Sequence, residues 1–538
     1  MQKIINAYRY LFDAEYGSVN HFLGRWIFLR GLGLIYFSAF YSLLFQVRGL
    51  IGSQGILPAV EYLQAARNLG ALRFWYIPTL LWFSGSDHVL MAICWIGMIA
   101  SLVLVANVLP RAMLLVCFVC FVSFVSAAQD FSGYQSDGML LEAGFLSLFL
   151  APRGLFPGFA TDQPIARAPM FLLLWEWFRI YFESGLVKLM SGDPTWRNLT
   201  ALYEYYQNGP LPTWIGWYLQ HLPNWFHIAT AAATLVMELV LVWMAFLPRP
   251  WKIACFFIVT LWQVGVIATA NYTFLNYLVL ILAILLLDDA FLKRIFPRRW
   301  RANLNHETHA AAVPEEASLN SEEDGVPIEV SRWPSIRAAI LAVMLTWIFY
   351  ATTVPLVQMF WRGAPLPTKP VAALDPLRIA NAYGLFAVMT PHRYEIEFQG
   401  SNDGEHWVAY PFRYKPQEVN DRPRIYAPYQ PRFDWNLWFA SLGPWRENLM
   451  VPKTEELLLE NNRDVLGLFA GNPFPDAPPR VVRAVLWQYW FSTPEQKRTE
   501  GAWWRRQFLG LYAPTLVRLP NGRFGIVDEP AFGYPSMP

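Results

Sequence analysis

WIFLRGLGLIYFSAFYSLLFQ, residues Trp26–Gln46, carries a single formal charge, Arg30, in an otherwise uncharged and mostly apolar run. A bilayer core about 30 Å thick needs roughly 20 predominantly apolar residues per helix, and this stretch supplies them. Comparable runs recur to about residue 358 and then stop. Residues 361–538 read as an ordinary folded domain rich in Trp, Tyr and Pro. The expected fold is a polytopic α-helical membrane bundle with a C-terminal mixed α/β soluble domain containing a β-rich portion.

Composition agrees with that class. Hydrophobic residues make up 55% and charged residues only 15%, against roughly 25% charged in a soluble chain. A net charge of +2 argues against a nucleic-acid partner, which requires clustered basic surface. The cysteines, Cys94, Cys117, Cys120 and Cys255, all fall inside apolar runs. Cys117 and Cys120 have redox-like spacing, yet no basic neighbour or helix start is there to favour a thiolate, so they read as packing residues.

Nine stretches are expected to span: Trp26–Gln46, Val89–Ala106, Ala112–Ala128, Met139–Leu150, Met170–Met190, Phe226–Leu247, Ile253–Ala270, Phe274–Leu287 and Ile336–Gln358. Met139–Leu150 and Phe274–Leu287 are short enough to be half-helices or re-entrant pieces. Ala71–Phe83, aromatic and broken by Pro78, reads as an interfacial helix. Basic residues set the direction. With a cytoplasmic N-terminus, the inner segments hold Lys3, Arg9, Arg25, Arg111, Arg153, Arg167, Arg249, Lys252 and the basic residues from Lys293 to Arg337. The outer segments hold only Arg48, Arg67, Arg73 and Arg197. This organisation gives a bundle over 1–296, a disordered cytoplasmic linker over 297–335, a last span over 336–358 and an outer domain over 361–538. No cleavable signal peptide is read before the first span. His306 and His309, within the linker, read as exposed residues and not as a metal pair, and no metal site is expected.

In the outer domain, Tyr394–Gln399 and His406–Phe412 flank Ser401-Asn402-Asp403-Gly404, where Asp-Gly suits the positive φ of a tight hairpin turn. Trp407 is expected to pack against that sheet. Glu455–Asn461 and Arg480–Tyr489 have helical composition. The domain has neither a cysteine nor an Asn-x-Ser/Thr site, which favours a bacterial inner membrane with the domain in the periplasm over an endoplasmic reticulum lumen.

Ionisable residues at bilayer depth are expensive unless paired, so each is a candidate site. Glu176, Arg179 and Glu183 share one face of the fifth span by their i, i+3, i+7 spacing. Lys188 lies further round the same helix, and Arg30, Glu142 and Glu238 fall in other spans. Two readings stand: a salt-bridge lattice that fixes the bundle, or a polar cavity with Lys188 as a reactive base. The short outer loops Gln129–Asp137 and Asn271-Tyr272-Thr273 are either turns or the roof of such a cavity.

Several motifs now combine into a resemblance. FLRGLGLIYFSAF (Phe28–Phe40), GLIGSQGILP (Gly49–Pro58), YQSDGMLLEAGFL (Tyr134–Leu146) and GLVKLMSGDPTWRNLTAL (Gly185–Leu202) stand in the membrane part. RIANAYGLFAVMT (Arg378–Thr390), RFDWNLWFA (Arg432–Ala440), GNPFPDAPPRVVR (Gly471–Arg483) and EGAWWRRQFLGLY (Glu500–Tyr512) stand in the outer domain. With these the chain resembles the lipase maturation factors. In vertebrates such proteins reside in the endoplasmic reticulum membrane and help dimeric lipases reach an active fold. The resemblance implies a membrane-anchored maturation factor or chaperone whose partner is an exported client protein, a lipase by family, with membrane lipid around it and no cofactor.

The membrane part is also similar, over Gly55–Pro58, Gly185–Leu189 and Trp196, to vitamin K-dependent γ-carboxylases, where a lysine at the position of Lys188 serves as base. That likeness implies the alternative: an integral-membrane enzyme using a quinone-like lipid. A transporter is disfavoured because no inverted repeat is apparent. For the maturation reading, Trp435, Trp438, Trp445, Trp503 and Trp504 are the candidate client-binding surface.

Overall fold

The computed structural model describes residues 8, 10–12, 17–18, 20–161, 163–295 and 336–531. The linker Pro297–Pro334, with His306 and His309, lies outside the described residues. Among the described residues, nine principal helices of the membrane part follow one another: α1 (Phe22–Leu44), α2 (Asp87–Val105), α3 (Pro110–Ala127), α4 (Gln135–Leu150), α5 (Arg167–Met190), α6 (Asn224–Leu239), α7 (Arg249–Thr269), α8 (Leu275–Ala283) and α9 (Ile336–Phe360). Among the described residues, six helical stretches are long and apolar enough to cross a membrane: α1, α2, α3, α6 with its continuation to Phe246, α7, and α9 from Ala338. α8, extended to Leu286, joins Asp289–Ile295 across a 112° bend and gives a seventh at most. α4 is only 16 residues long, and α5, although 24 residues long, carries several charges. The chain is an integral membrane protein.

The two ends of the bundle differ in chemistry. At one end Asp289 accepts hydrogen bonds from the backbone N–H groups of Phe22 and Leu23 at 2.9 and 2.8 Å. It thereby satisfies donors that the first turn of α1 leaves free. Arg25 donates to the carbonyls of Gln163 and Thr161 there, Arg111 to that of Ala151, and Arg249 pairs with Asp288. The other ends of the same helices meet the C-terminal domain. Gln46, just beyond α1, donates to the carbonyl of Gln430, and Tyr277 in α8 to that of Ala427.

Ala71–Phe83 is a chain of short turns and not one helix, with only Arg73–Tyr76 α-helical. Gly70 adopts φ +59° and Pro78 has no N–H to donate, so the helix is interrupted on both sides. Phe74, Trp75, Tyr76 and Phe83 are exposed along it, as an interfacial segment requires.

The C-terminal domain is built on an antiparallel sheet of β1 (Arg393–Ser401), β2 (Val408–Ala409), β3 (Val481–Phe491), β4 (Trp504–Leu511), β5 (Thr515–Arg518) and β6 (Phe524–Asp528), ordered β2-β1-β3-β5-β6 with β4 also on β3. The hairpin forms as expected: Gly404 has φ +83°, and Asp403 accepts from the N–H groups of Glu405 and His406 at 2.8 Å. Its second strand is cut to two residues, since Pro411 offers no ladder N–H. Trp407 is half-buried beneath Arg483 of β3, whose guanidinium lies 3.8 Å from the ring centre.

Arg480–Tyr489 is not helical. It forms β3, the central strand, paired with β1 from Val481↔Ser401 to Tyr489↔Arg393. Its Ala, Leu and Arg content resembles a helix, but Val481, Val482 and Val485 with four aromatic residues suit a strand covered on both faces. Glu455–Asn461 begins within α11 (Met450–Leu459), which follows α10 (Arg432–Ala440) and packs on β3.

Candidate functional site

The charged residues of the bundle sort into two groups and one outlier. Arg179 of α5 pairs with Glu142 of α4 and lies 3.9 Å from Glu183 one turn on, all three buried. Glu176 is buried beside them, and neither of its oxygens has a hydrogen bond of normal geometry. Lys188 stands apart from that cluster: its Nζ donates to both carboxylate oxygens of Glu238 in α6, at 2.9 and 2.8 Å. Arg30 joins neither group. Its guanidinium stacks over Trp26 at 4.7 Å and donates to the Trp26 carbonyl, and no described carboxylate is within ion-pairing distance.

The cluster is completed from outside the bundle. Residues 378–390 form a strap across the helix ends. Within it, the backbone and side-chain N–H groups of Asn381 donate to Glu142 Oε2 at 2.9 and 3.0 Å, and the Tyr383 hydroxyl donates there at 2.9 Å. The Tyr383 N–H donates to Glu183 at 2.6 Å, and Arg179 donates to the Asn381 carbonyl. Further along, the Leu385 N–H donates to the Ser184 hydroxyl, the Met389 N–H to Asp193, and the Trp196 indole to the Phe386 carbonyl.

A second fastening lies close by. Arg432, in the first turn of α10, donates to both carboxylate oxygens of Asp137 in the first turn of α4, at 2.7 and 2.8 Å. Arg393 of β1 reaches the carbonyls of Gln207, Gly209 and Pro210 and pairs with Glu395, which also binds Lys415 at 2.7 Å. The loops read as turns or a roof therefore serve as docking points: Asp137 ends one, and Asn271 in the other accepts from Tyr426 and Ala427. Gly49 and Gly138 allow the close approach, since a Cβ would meet the Asp464 carbonyl at 2.5 Å and the Asn381 side chain at 2.8 Å.

Four of the five candidate client-binding tryptophans lie in this seam and not on an open surface. Trp435, Trp438, Trp503 and Trp504 are all buried. Trp435 rests against Tyr134 and Tyr272, Trp438 donates to the Asn208 carbonyl, Trp503 meets Trp217 edge to face, and Trp504 underlies Arg393. Trp445 is half-buried, with Arg446 over its ring. Nearby, burial pushes the Asp434 carboxyl up to about 6, a rise limited by the N–H groups of Lys415 and Tyr414.

Sequence reading found the ionisable residues within the spans but missed Asp137, Asp193, Asn381, Tyr383 and Arg432. All five stand inside the quoted motifs, and no spacing rule links residues so far apart. Among the described residues, no group of three or more His, Cys, Asp or Glu is arranged to hold a metal ion. Lys188 and Glu238 line a largely apolar cavity between α5, α6, α7 and α8.

A charged bundle closed by a strap from its own C-terminal domain defines a class of membrane protein in which the two parts act as one body. A family model described as the lipase maturation factor transmembrane domain matches residues 23–294, and one described as the lipase maturation factor C-terminal domain matches residues 379–514. The chain belongs to the lipase maturation factor family. It is 32% identical to lipase maturation factor 2 of Mus musculus, over 94% of this chain and 85% of that protein. It is 31% identical to lipase maturation factor 1 of Bos taurus, over 92% and 89% respectively. No solved structure matches it.

Proposed function

We propose that this protein is a membrane-anchored maturation factor that brings an exported lipase to its active fold. The observation that carries the reading is the end-to-end likeness to lipase maturation factors, which spans the bundle and the outer domain together. The fastening of the two parts supports it, because a client-binding face held rigidly to the membrane meets the client as it emerges. With the seam tryptophans buried, the client face falls to the free end of the sheet. Ile526 and Val527 on β6 are 56% and 60% exposed, and among the described residues β6 ends the strand order. An unpaired apolar edge is a template for another chain's strand.

The outer domain lies on the periplasmic or lumenal side in this reading. The basic residues Arg25, Arg111 and Arg249 gather at the opposite end of the bundle, as a cytoplasmic face requires. A bacterial inner membrane is the setting favoured by a domain without cysteine.

The test is co-expression with a lipase in cells lacking their own factor, reading lipase activity per mass of secreted lipase. The factor should raise that ratio, and Ile526→Asp with Val527→Asp should cancel the rise while leaving the factor's own Tm unchanged. An unchanged specific activity with and without the factor would refute the reading.

A further inference from the structure

The end of the bundle away from the C-terminal domain carries a charge imbalance on its surface. Arg111, in the first turn of α3, donates from Nε to the Ala151 carbonyl at 2.7 Å and among the described residues forms no other side-chain hydrogen bond. It is half-buried, and its two Nη groups keep accessible surface. Arg153 is exposed, and its guanidinium is near enough to repel that of Arg111. Among the described residues the Arg153 side chain has neither a hydrogen bond nor an ion pair. Arg25 reaches the same loop from within the bundle, donating to the Thr161 and Gln163 carbonyls. The described carboxylates at this end are engaged elsewhere: Asp288 pairs with Arg249, and Asp289 accepts from the first turn of α1. Two like charges gathered without a counter-charge point to an anion supplied from outside the chain.

Beside these arginines the loop holds apolar side chains outward. Leu155 and Phe156 are 53% and 71% exposed, and Leu109 is 40% exposed. The loop is tied down at several points. The Leu109 N–H donates to the Leu155 carbonyl at 2.9 Å, and the Asn107 side chain donates to the Gly158 carbonyl at 2.7 Å. The backbone of Arg153 and the side chain of Gln163 exchange two hydrogen bonds at 2.7 and 2.8 Å. Leu109 and Arg111 flank the first residue of a span, so this tip lies where acyl chains give way to headgroups. Apolar side chains fixed at that level bury themselves among acyl chains, while neighbouring guanidiniums stay among the phosphates. A free anion would use the arginines and leave Leu155 and Phe156 in water, whereas a lipid uses both.

We propose that the start of α3 and the loop 153–156 form a docking site for an anionic phospholipid, with Arg111 and Arg153 among the phosphates and Leu155 and Phe156 between the acyl chains. The attraction acts through the local field and requires no single oxygen shared by the two guanidiniums. The site stands on the bundle alone, so its test needs no client and is independent of lipase maturation.

The full-length protein in phosphatidylcholine nanodiscs is irradiated with a phosphatidylglycerol carrying a diazirine on one acyl chain, and in a second arm with the matching phosphatidylcholine probe. Saturable labelling of the peptides covering 109–115 and 153–156 is expected with the phosphatidylglycerol probe, competed by unlabelled phosphatidylglycerol, and weak labelling with phosphatidylcholine. Arg153→Gln should lower the apparent affinity about fivefold, with Tm unchanged because its side chain bonds to no described group. Adding Arg111→Gln should lower it by about the same factor again. If that double variant fails to fold, Arg153→Gln alone carries the test. Leu155→Ser with Phe156→Ser should weaken labelling while the preference for phosphatidylglycerol remains. Equal labelling by the two lipids overturns the proposal, as does a phosphatidylglycerol preference that Arg153→Gln leaves intact. So does loss of labelling on adding millimolar inorganic phosphate at constant ionic strength, since the occupant would then be a free ion.

Discussion

Arg432 and Asp137 form a two-point ion pair at 2.7 and 2.8 Å with both side chains fully buried, although one opens a helix of the soluble domain and the other opens α4 of the bundle. The guanidinium also donates to the Phe131 carbonyl at 2.6 Å and lies 4.8 Å from the ring centre of Phe124. Arginine grips the carboxylate from two nitrogens held in one rigid plane, which the single ammonium of a lysine does not reproduce. The pair couples the domain to the bundle in one orientation.

Removing one member should uncouple them. Arg432→Ala leaves Asp137 buried and unpaired, an effect of roughly 3–5 kcal/mol for broken buried pairs. The expected result is a lower Tm in detergent and faster proteolysis between residues 361 and 378. Arg432→Met with Asp137→Leu should recover most of the loss, and Arg432→Lys should recover little. Equal stability of the single variant and the parent would contradict the assigned role.

Lys188→Met presents the same problem inside the membrane, because Glu238 then keeps its carboxylate without a partner. A loss of roughly 3–5 kcal/mol is expected. Lys188→Met combined with Glu238→Leu should restore stability and, in the co-expression assay, activity. A double variant that is stable yet inactive would show that Lys188 takes part in chemistry, as the carboxylase likeness implies.

Gly49 tests how tightly the domain sits on the bundle. A Cβ there meets the Asp464 carbonyl at 2.5 Å and Leu468 at 2.9 Å, and the backbone oxygen cannot rotate away. Gly49→Ala should cost about 1–3 kcal/mol, the usual range for overpacking. Thermal unfolding of the purified protein measures it, and an unshifted Tm would mean that the domain rides further from the bundle.

Asp434 predicts a pH effect in the outer domain. Burial raises its carboxyl from 3.8 to about 6 in the folded state, so the folded form binds the proton more tightly than the unfolded form. This group's contribution therefore disfavours folding above pH 6, and the penalty fades as pH falls through the window from about 6 to 3.8. Asp434→Asn should stabilise the protein at pH 8 by on the order of 3 kcal/mol at most, while keeping an oxygen for the N–H groups of Tyr414 and Lys415. The difference in Tm between the two proteins should vanish by pH 4. A constant difference across that range would mean that the side chain does not titrate in the folded state.

Much of the architecture was legible in the chain itself. Apolar runs of sufficient length, the stop after residue 358 and the Asp403-Gly404 turn are local signals, because helix length, hydropathy and turn chemistry depend on neighbours in sequence. The same local logic placed Glu176, Arg179 and Glu183 on one face of α5. It failed at Arg480–Tyr489, where pairing with β1 from a distance outweighed helical composition. It could not say which of the five candidate tryptophans are covered, since burial depends on what packs above a residue, and four of them are buried.

Apart from Arg179 and Glu183, one turn apart on α5, the partners of the charged residues in the bundle were decided by tertiary structure. Arg179 meets Asn381 across 202 positions and Arg432 meets Asp137 across 295. No periodicity carries information over such separations. In a low-dielectric interior a charge gains most from a counter-charge, and the fold decides which one comes within reach. The amino-acid order determined that this chain crosses the membrane many times and ends in a folded domain. Only the three-dimensional packing determined that the domain closes over the bundle and completes its polar core.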